Sequence, residues 1–415
     1  MLQPKEPVPA GRKKSFRRRA LLWLIMMAMT LSVVEILAAL VLIIQPNIFG
    51  GHATSLEDRD ARLVASVVGM LEDRPDALAE FHGDLGWRTR PGLDNGPDII
   101  SSQALRSRRD YSESPPPGVL RIAAFGDSFV YGSEVLTDEA WPSVIEQTRP
   151  NTEVLNYGVP GYGQDQIYLR FLAEGHDLEP KVVLFGVATP TLERIMMISA
   201  VFRSPGLSTY DFIKKPRFLL DGDRLSPAPN QLHRLSDFQR YVKDPSSFRE
   251  LGAYDYWYEP LVYENRLFEY SRTGRLVFSG WAQLKRRLID ADRPLKGPRG
   301  GSVFNESSSG FQILTLILKR FVATAADWDM RPVVLILPDG YSTERMRSGQ
   351  PGIMDPVREF CRDEGLDYID VKDAFLAQPA EVEISSWFHN SFHYSVEGNR
   401  IVADWIRREV DRRGW

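Results

Sequence analysis

Cysteine is nearly missing from this chain: Cys361 is the only one in 415 residues, so no disulfide can close within it. Thiols therefore say nothing for or against export. Histidine is scarce too, at six residues, and no His/Cys spacing fits a metal site, so neither a metal nor another cofactor is expected. Net positive charge is confined to the start. Residues 1–20 hold Lys5, Arg12, Lys13, Lys14, Arg17, Arg18 and Arg19 against Glu6, a net of +6; with −4 overall, the remainder carries −10. A body of that sign has no general footprint for nucleic acid.

Beyond the basic tail the chain turns apolar. From Leu21 to Ile44 the only ionisable group is Glu35. As a helix this run would span about 36 Å at ~1.5 Å per residue, against a hydrocarbon core of ~30 Å. It exceeds the ~7–15 residues of a signal-peptide core, and Ala38-Ala39 does not end it. An uncleaved transmembrane anchor over 21–44 is expected. Its basic flank stays cytoplasmic, and everything beyond Gln45 lies outside the cytoplasm, in the periplasm. Glu35 is costly in a bilayer; it marks either a partner membrane helix or a site tolerated near one face.

Residues 45–117 read as a juxtamembrane stalk and wrap. Leu56, Leu63, Val64, Val67, Val68 and Leu71 recur at helical spacing within 50–80. Gly83 to Gly92 then breaks the pattern. Trp87, with Arg88 and Arg90, is read as an aromatic anchor with solvated charges; a substrate cleft is the other reading. The core occupies 118–412. Apolar runs at 120–125, 153–156, 181–186, 333–337 and 367–370 alternate with helical stretches at 164–173, 308–328, 355–364 and 397–412, the rhythm of a parallel sheet covered on both faces. Thr137 is expected to cap a helix with an acidic first turn. The rhythm lapses over about 200–307, an insertion over the sheet's active edge that is neither a repeat nor a low-complexity tract. It carries an Asp221-Gly222 hairpin signal, and Arg299 to Ser302 is expected to be mobile. Its aromatics (Tyr254, Tyr256, Trp257, Tyr258) either stack on sugar rings or form its small core.

Two stretches carry chemistry. Gly126-Asp127-Ser128 follows the first strand directly, at the carboxyl edge where α/β sheets bind ligands. A serine there presents its hydroxyl to substrate, with a backbone N–H beside it for an oxyanion. Alone, the tripeptide is equally an ordinary turn. The partner comes late: His393, in a loop entering the last helix, can reach over the same sheet edge to Ser128.

In these blocks the sequence resembles the SGNH (GDSL-like) hydrolases, serine esterases and acyltransferases on a flavodoxin-like three-layer α/β/α sandwich. The resemblance covers about 118–195 and 308–412. Gly126-Asp127-Ser128 matches the nucleophile block, Asn156-Tyr-Gly-Val-Pro-Gly161 the block whose last glycine supplies an oxyanion N–H, and His393 to Asn399 the block with the base. Two positions depart. The block after the third strand reads Phe185 to Thr191 and lacks the family's oxyanion asparagine, leaving Thr189 or Thr191 as substitutes. The family's acid sits three residues before the histidine, where this chain has Asn390, an amide that could still orient the ring by accepting its N–H.

The resemblance implies a membrane-anchored, extracytoplasmic serine esterase or O-acyltransferase. Ser128 would be its nucleophile, His393 its base and Asn390 the orienting group, with Asp127, Gly161, Thr189 and Thr191 around the oxyanion and substrate. The substrate would be an ester, such as an O-acetyl group, on an envelope polysaccharide or lipid. The competing reading is a catalytically degenerate module that binds glycan or scaffolds an envelope assembly.

Overall fold

The computed structural model describes residues 10–72, 74–203, 214–229, 232–296 and 303–415, without the side chains of 10–15 and 266. The Arg299 to Ser302 stretch lies outside these residues. Five strands make the central sheet: β1 Leu120–Gly126, β2 Thr152–Gly158, β3 Val182–Ala188, β4 Arg331–Leu337 and β5 Tyr368–Asp370. All neighbours are parallel, in the order β2-β1-β3-β4-β5. Each strand is close to a continuous apolar run because both faces are covered.

Period-two alternation sorts the side chains to two cores. Ala123, Phe125, Leu155, Val183, Phe185, Val334 and Ile336 meet Phe171 of α4 (Gln164–Glu174) and Leu314, Ile317 and Phe321 of α6 (Ser309–Asp327). Ile122, Ala124, Val154, Leu184, Val333 and Leu335 face Trp141 of α3 (Trp141–Thr148) and Val402 and Ile406 of α8 (Val396–Arg412). The result is the three-layer α/β/α sandwich in its flavodoxin-like order. Connections leave β1 and β3 in opposite directions, so their carboxyl ends frame a crevice.

Before the sheet, α1 (Ala10–Ile44) includes a segment, Phe16–Ile44, long and apolar enough to cross a membrane. Helix α2 (Leu56–Leu71) starts at Ser55, whose hydroxyl accepts from Asp58 N at 3.1 Å. It ends well short of residue 80, because Ala79–His82 pairs antiparallel with Gly86–Thr89 in a hairpin the wrap did not suggest. Trp87 is buried there, its indole donating to Pro160 O at 3.0 Å, while Arg88 and Arg90 both pair with Glu80. The anchor reading of Trp87 fits this packing.

Thr137 does not cap a helix. It begins a short 3-10 turn, and its hydroxyl accepts from Ile99 N at 2.9 Å, so the wrap has taken the group; α3 starts at Trp141 with Pro142 in its first turn. The insertion builds its own core from Phe202, Phe238, Tyr241, Phe248 and Tyr263, closed by Leu63 and Val67 of α2. Tyr258 stacks on Tyr263 at 4.8 Å, and the Trp257 indole donates to Glu193 O at 3.3 Å. These aromatics are structural. Helix α5 (Arg272–Leu288) closes the insertion, and α7 (Asp355–Asp363) precedes β5.

His52 sits buried where α1 meets the body, its Nε2 at 3.0 Å from Arg203 O. Burial, with Arg59 and Arg286 nearby, depresses its pKa to about 3. The folded state therefore keeps the ring neutral while the unfolded chain protonates it below about pH 6.5, so stability falls as pH drops from there towards 3. His52→Gln keeps an N–H for Arg203 O and removes the titration. Thermal unfolding across that range should show the variant losing less stability than wild type. The difference should reach a few kcal/mol, since each tenfold change in proton affinity between the two states is about 1.4 kcal/mol. Equal acid losses would mean another group controls the transition.

Candidate active site

Strand β1 delivers Asp127 and Ser128 to the crevice. Ser128 opens a single helical turn, Ser128–Tyr131, and is buried. The turn sits directly on β2: a Cβ on Gly158 would lie 2.2 Å from Tyr131 N, so only glycine lets it close. The asparagine of the second block, Asn156, donates from Nδ2 to Tyr131 O at 3.1 Å and accepts from Gly158 N at 2.9 Å. That block shapes the floor under the nucleophile.

His393 arrives from the opposite end of the chain. It sits in a two-residue strand pair, Phe388–His389 with His393–Tyr394, just before α8. Ser395 caps α8 by accepting from Gly398 N at 3.1 Å. Asn399 binds this entry to α3 by accepting from Trp141 N at 3.0 Å while its amide donates to Ser395 O. Phe129 and Phe392 meet the imidazole at tilted angles, with centroids at 5.2 and 4.6 Å. So held, Nε2 lies 2.9 Å from Ser128 Oγ.

The other ring nitrogen corrects the expectation. Nδ1 lies 2.9 Å from Glu134 Oε1, not on Asn390. Asn390 occupies the tight turn between the two short strands, at φ 49°, and its side chain makes no hydrogen bond among the described residues. An amide three residues before the ring points away because that turn reverses the chain. With the proton on Nδ1 donated to Glu134, Nε2 is free to accept from the Ser128 hydroxyl. Glu134 is itself at φ 71°, on a loop gripped by a buried guanidinium. Arg106 donates to Tyr131 O at 2.8 Å and Val135 O at 2.6 Å, and also to Gly132 O.

The oxyanion side is partly as expected. The N–H groups of Ser128 and Gly161 have no hydrogen-bond partner among the described residues, and Gly161 stands at φ 85°, a region that favours glycine. Thr189 Oγ is buried and has no hydrogen-bond partner among the described residues. Thr191 is not: its hydroxyl donates to Ala188 O and accepts from Gln164 Nε2, both at 2.6 Å. Asp127 does not line the site with a free carboxylate either. Its Oδ1 accepts from Phe129 N at 3.0 Å and its Oδ2 pairs with Arg194 at 3.2 Å. Burial raises its pKa, opposed by Arg194. Arg194 went unnoticed in the sequence; it brings a partly buried cation next to the Ser128 turn, and also donates to Tyr162 O. No group of residues able to hold a metal occurs among the described residues. Beside Val159 and Pro160 a cavity of about 600 Å³ opens between α2 and the 79–89 hairpin.

No family model and no curated protein matches the chain. Among solved structures it is similar to a putative lipolytic protein of the G-D-S-L family from Desulfitobacterium hafniense, at 13% identity over 69% of this chain and 98% of that one, with a TM-score of 0.33. An acetylxylan esterase from Geobacillus stearothermophilus aligns at 11% identity over 71% and 96%, TM-score 0.35. A putative acylhydrolase from Bacteroides fragilis aligns at 10% over 72% and 90%, TM-score 0.34. Likeness at this level decides nothing by itself. The SGNH-like fold of this chain stands on its own sheet order and on the three blocks meeting at one edge.

Glu134→Ala should lower kcat on an activated ester by about 10- to 100-fold with little change in KM, since the ring loses the acceptor that orients it as well as the charge beside the imidazolium formed in the transition state. Asn390→Ala should stay within about twofold of wild type. The reverse ranking would return the orienting role to Asn390.

Proposed function

We propose that this protein is a membrane-anchored, extracytoplasmic serine esterase or O-acyltransferase. The observation that supports this reading is the run Glu134–His393–Ser128, with 2.9 Å at both contacts. Ser128 Oγ attacks the acyl carbonyl as its proton passes to His393 Nε2. The N–H groups of Ser128 and Gly161 receive the oxyanion, with Thr189 Oγ a candidate third donor. The imidazolium then protonates the departing alcohol, leaving an acyl-enzyme. Water or a sugar hydroxyl, deprotonated by the same ring, resolves it. An unpartnered Thr189 in place of the family's asparagine is consistent with a weaker oxyanion site. One donor of this kind typically accounts for ~2.7–4 kcal/mol. An O-acyl ester of an envelope polysaccharide or lipid suits a site carried outside the cytoplasm on an apolar anchor.

The missing asparagine and the missing acid favour a non-catalytic module; Glu134, 2.9 Å from His393 Nδ1, supports the enzyme. A fluorophosphonate probe separates the two readings: wild type should label at Ser128, and Ser128→Ala should not. Absence of labelling in folded wild type would leave the binding module. For topology, a reporter fused after Trp415 should be active only outside the cytoplasm, given the basic residues of 1–20 ahead of the apolar run.

A further inference from the structure

Helix α2 presents two faces. Leu63 and Val67 enter the core of the insertion, while Arg62, Ser66 and Gly69 line the cavity beside Val159 and Pro160. A Cβ at Gly69 would meet nothing within 4 Å, so the helix leaves this wall open. The hairpin side supplies Leu78 and Phe81. At about 600 Å³ the cavity falls within the ~300–1,000 Å³ of small-ligand sites.

The cavity also touches the oxyanion loop. Pro160 is one residue, about 3.8 Å between Cα atoms, from Gly161, the proposed oxyanion donor. The hairpin grips this loop on both sides of Gly161. The Trp87 indole donates to Pro160 O at 3.0 Å, and the Tyr162 hydroxyl donates to Trp87 O at 2.6 Å. An ester whose carbonyl oxygen sits on the Gly161 N–H would carry the rest of its molecule past Pro160.

The lining is mixed in chemistry. Arg62, Arg74 and Arg90 stand against Glu72 and Glu80, a positive excess in a body that is negative beyond residue 20. Glu80 is already held by Arg88 at 2.8 Å and by Arg90 at 3.5 Å. A hydrocarbon tail would strip water from these charges and replace none of it, which is costly. A sugar chain brings hydroxyls for them and apolar ring faces for Leu78 and Phe81. Guanidinium groups further select carboxylate or phosphate oxygens.

We propose that this cavity is the subsite for the chain that carries the ester, and that this chain is an anionic glycan with a carboxylate or phosphodiester in its repeat. Arg62 and Arg74 meet its negative groups, and Gly69 leaves room for its rings. The inference deepens the esterase reading and rests on it, since only a nucleophilic Ser128 makes the occupant a substrate.

The test is calorimetry on the full chain in detergent micelles, with unacylated probes so that nothing turns over. The probes are a galacturonate hexamer, a glycerol-phosphate hexamer and neutral xylohexaose. At least one anionic probe should bind about tenfold or more tighter than xylohexaose, and the tighter of the two names the anion. Arg74→Gln, at an exposed side chain, should weaken that probe about fivefold or more. Gly69→Trp, which fills the cavity from a helix position that disfavours glycine, should abolish its binding. Thermal unfolding reports whether each variant is folded; should Gly69→Trp unfold, Gly69→Leu and Arg74→Gln decide. Fluorophosphonate labelling of wild-type Ser128 reads the esterase separately. Labelling without anionic binding, or with binding that the folded variants leave unchanged, overturns this inference alone. Xylohexaose bound as tightly as the anions overturns it too. Cavity-dependent binding without labelling would mean that the esterase reading has failed, and the substrate subsite falls with it.

Discussion

One buried cation holds the active edge together. Arg106 comes from the wrap, not from the sheet, yet its guanidinium collects the carbonyls of Tyr131, Gly132 and Val135 and lies 4.1 Å from the Tyr131 ring. Asp98, also from the wrap, lies 3.2 Å away, and Arg106 N donates to Asn156 O. Removing such a charge from water is expensive, and burial pulls its pKa down accordingly. The cost is offset only because every nearby carbonyl is aimed at it. The Ser128 turn and the Glu134 loop are thereby fixed by a segment that looks irregular, and the wrap is buried where it grips them: Leu105 and Arg106 are at most 2% exposed.

The site differs from the SGNH pattern it resembles in where the negative charge is placed. An acid three residues before the histidine would share the histidine's own loop. Here Glu134 lies 259 residues away in sequence, on the loop following the nucleophile, with its side chain 45% exposed. Exposure weakens its field through water and salt, so it orients the imidazole more than it stabilises the imidazolium. A buried carboxylate instead sits one residue before Ser128, as Asp127 paired with the partly buried Arg194. Asp127 spends its oxygens on Phe129 N and Arg194, so its task is to hold the turn.

Much of the fold was legible because buried parallel strands must be continuously apolar. All five lie within about two residues of the runs read from the sequence, and β1 begins at Leu120. Ser128, His393 and Gly161 were legible only through the blocks that carry the resemblance, since Gly-Asp-Ser alone is equally an ordinary turn. Glu134 was not, since nothing local distinguishes it from any other loop carboxylate; only the fold brings it to Nδ1. Thr191 failed for a related reason: a hydroxyl in the first turn of a short helix has its own Ala188 carbonyl within reach.

The insertion ties these features into one body. Arg286 of α5 donates to Trp257 O, and the Trp257 indole donates to Glu193 O. Glu193 pairs with Arg203 and precedes Arg194, which grips Asp127 beside Ser128. On the stalk side, Leu63 and Val67 of α2 enter the same insertion core. Spatial continuity of this kind is no evidence of signalling. It is evidence of a fixed orientation: rigid packing from α1 and α5 through the insertion leaves the crevice little freedom to rotate against whatever surface those helices contact. With a bilayer as that surface, the packing would hold Ser128 at one height and tilt above it, and a flexible tether would not.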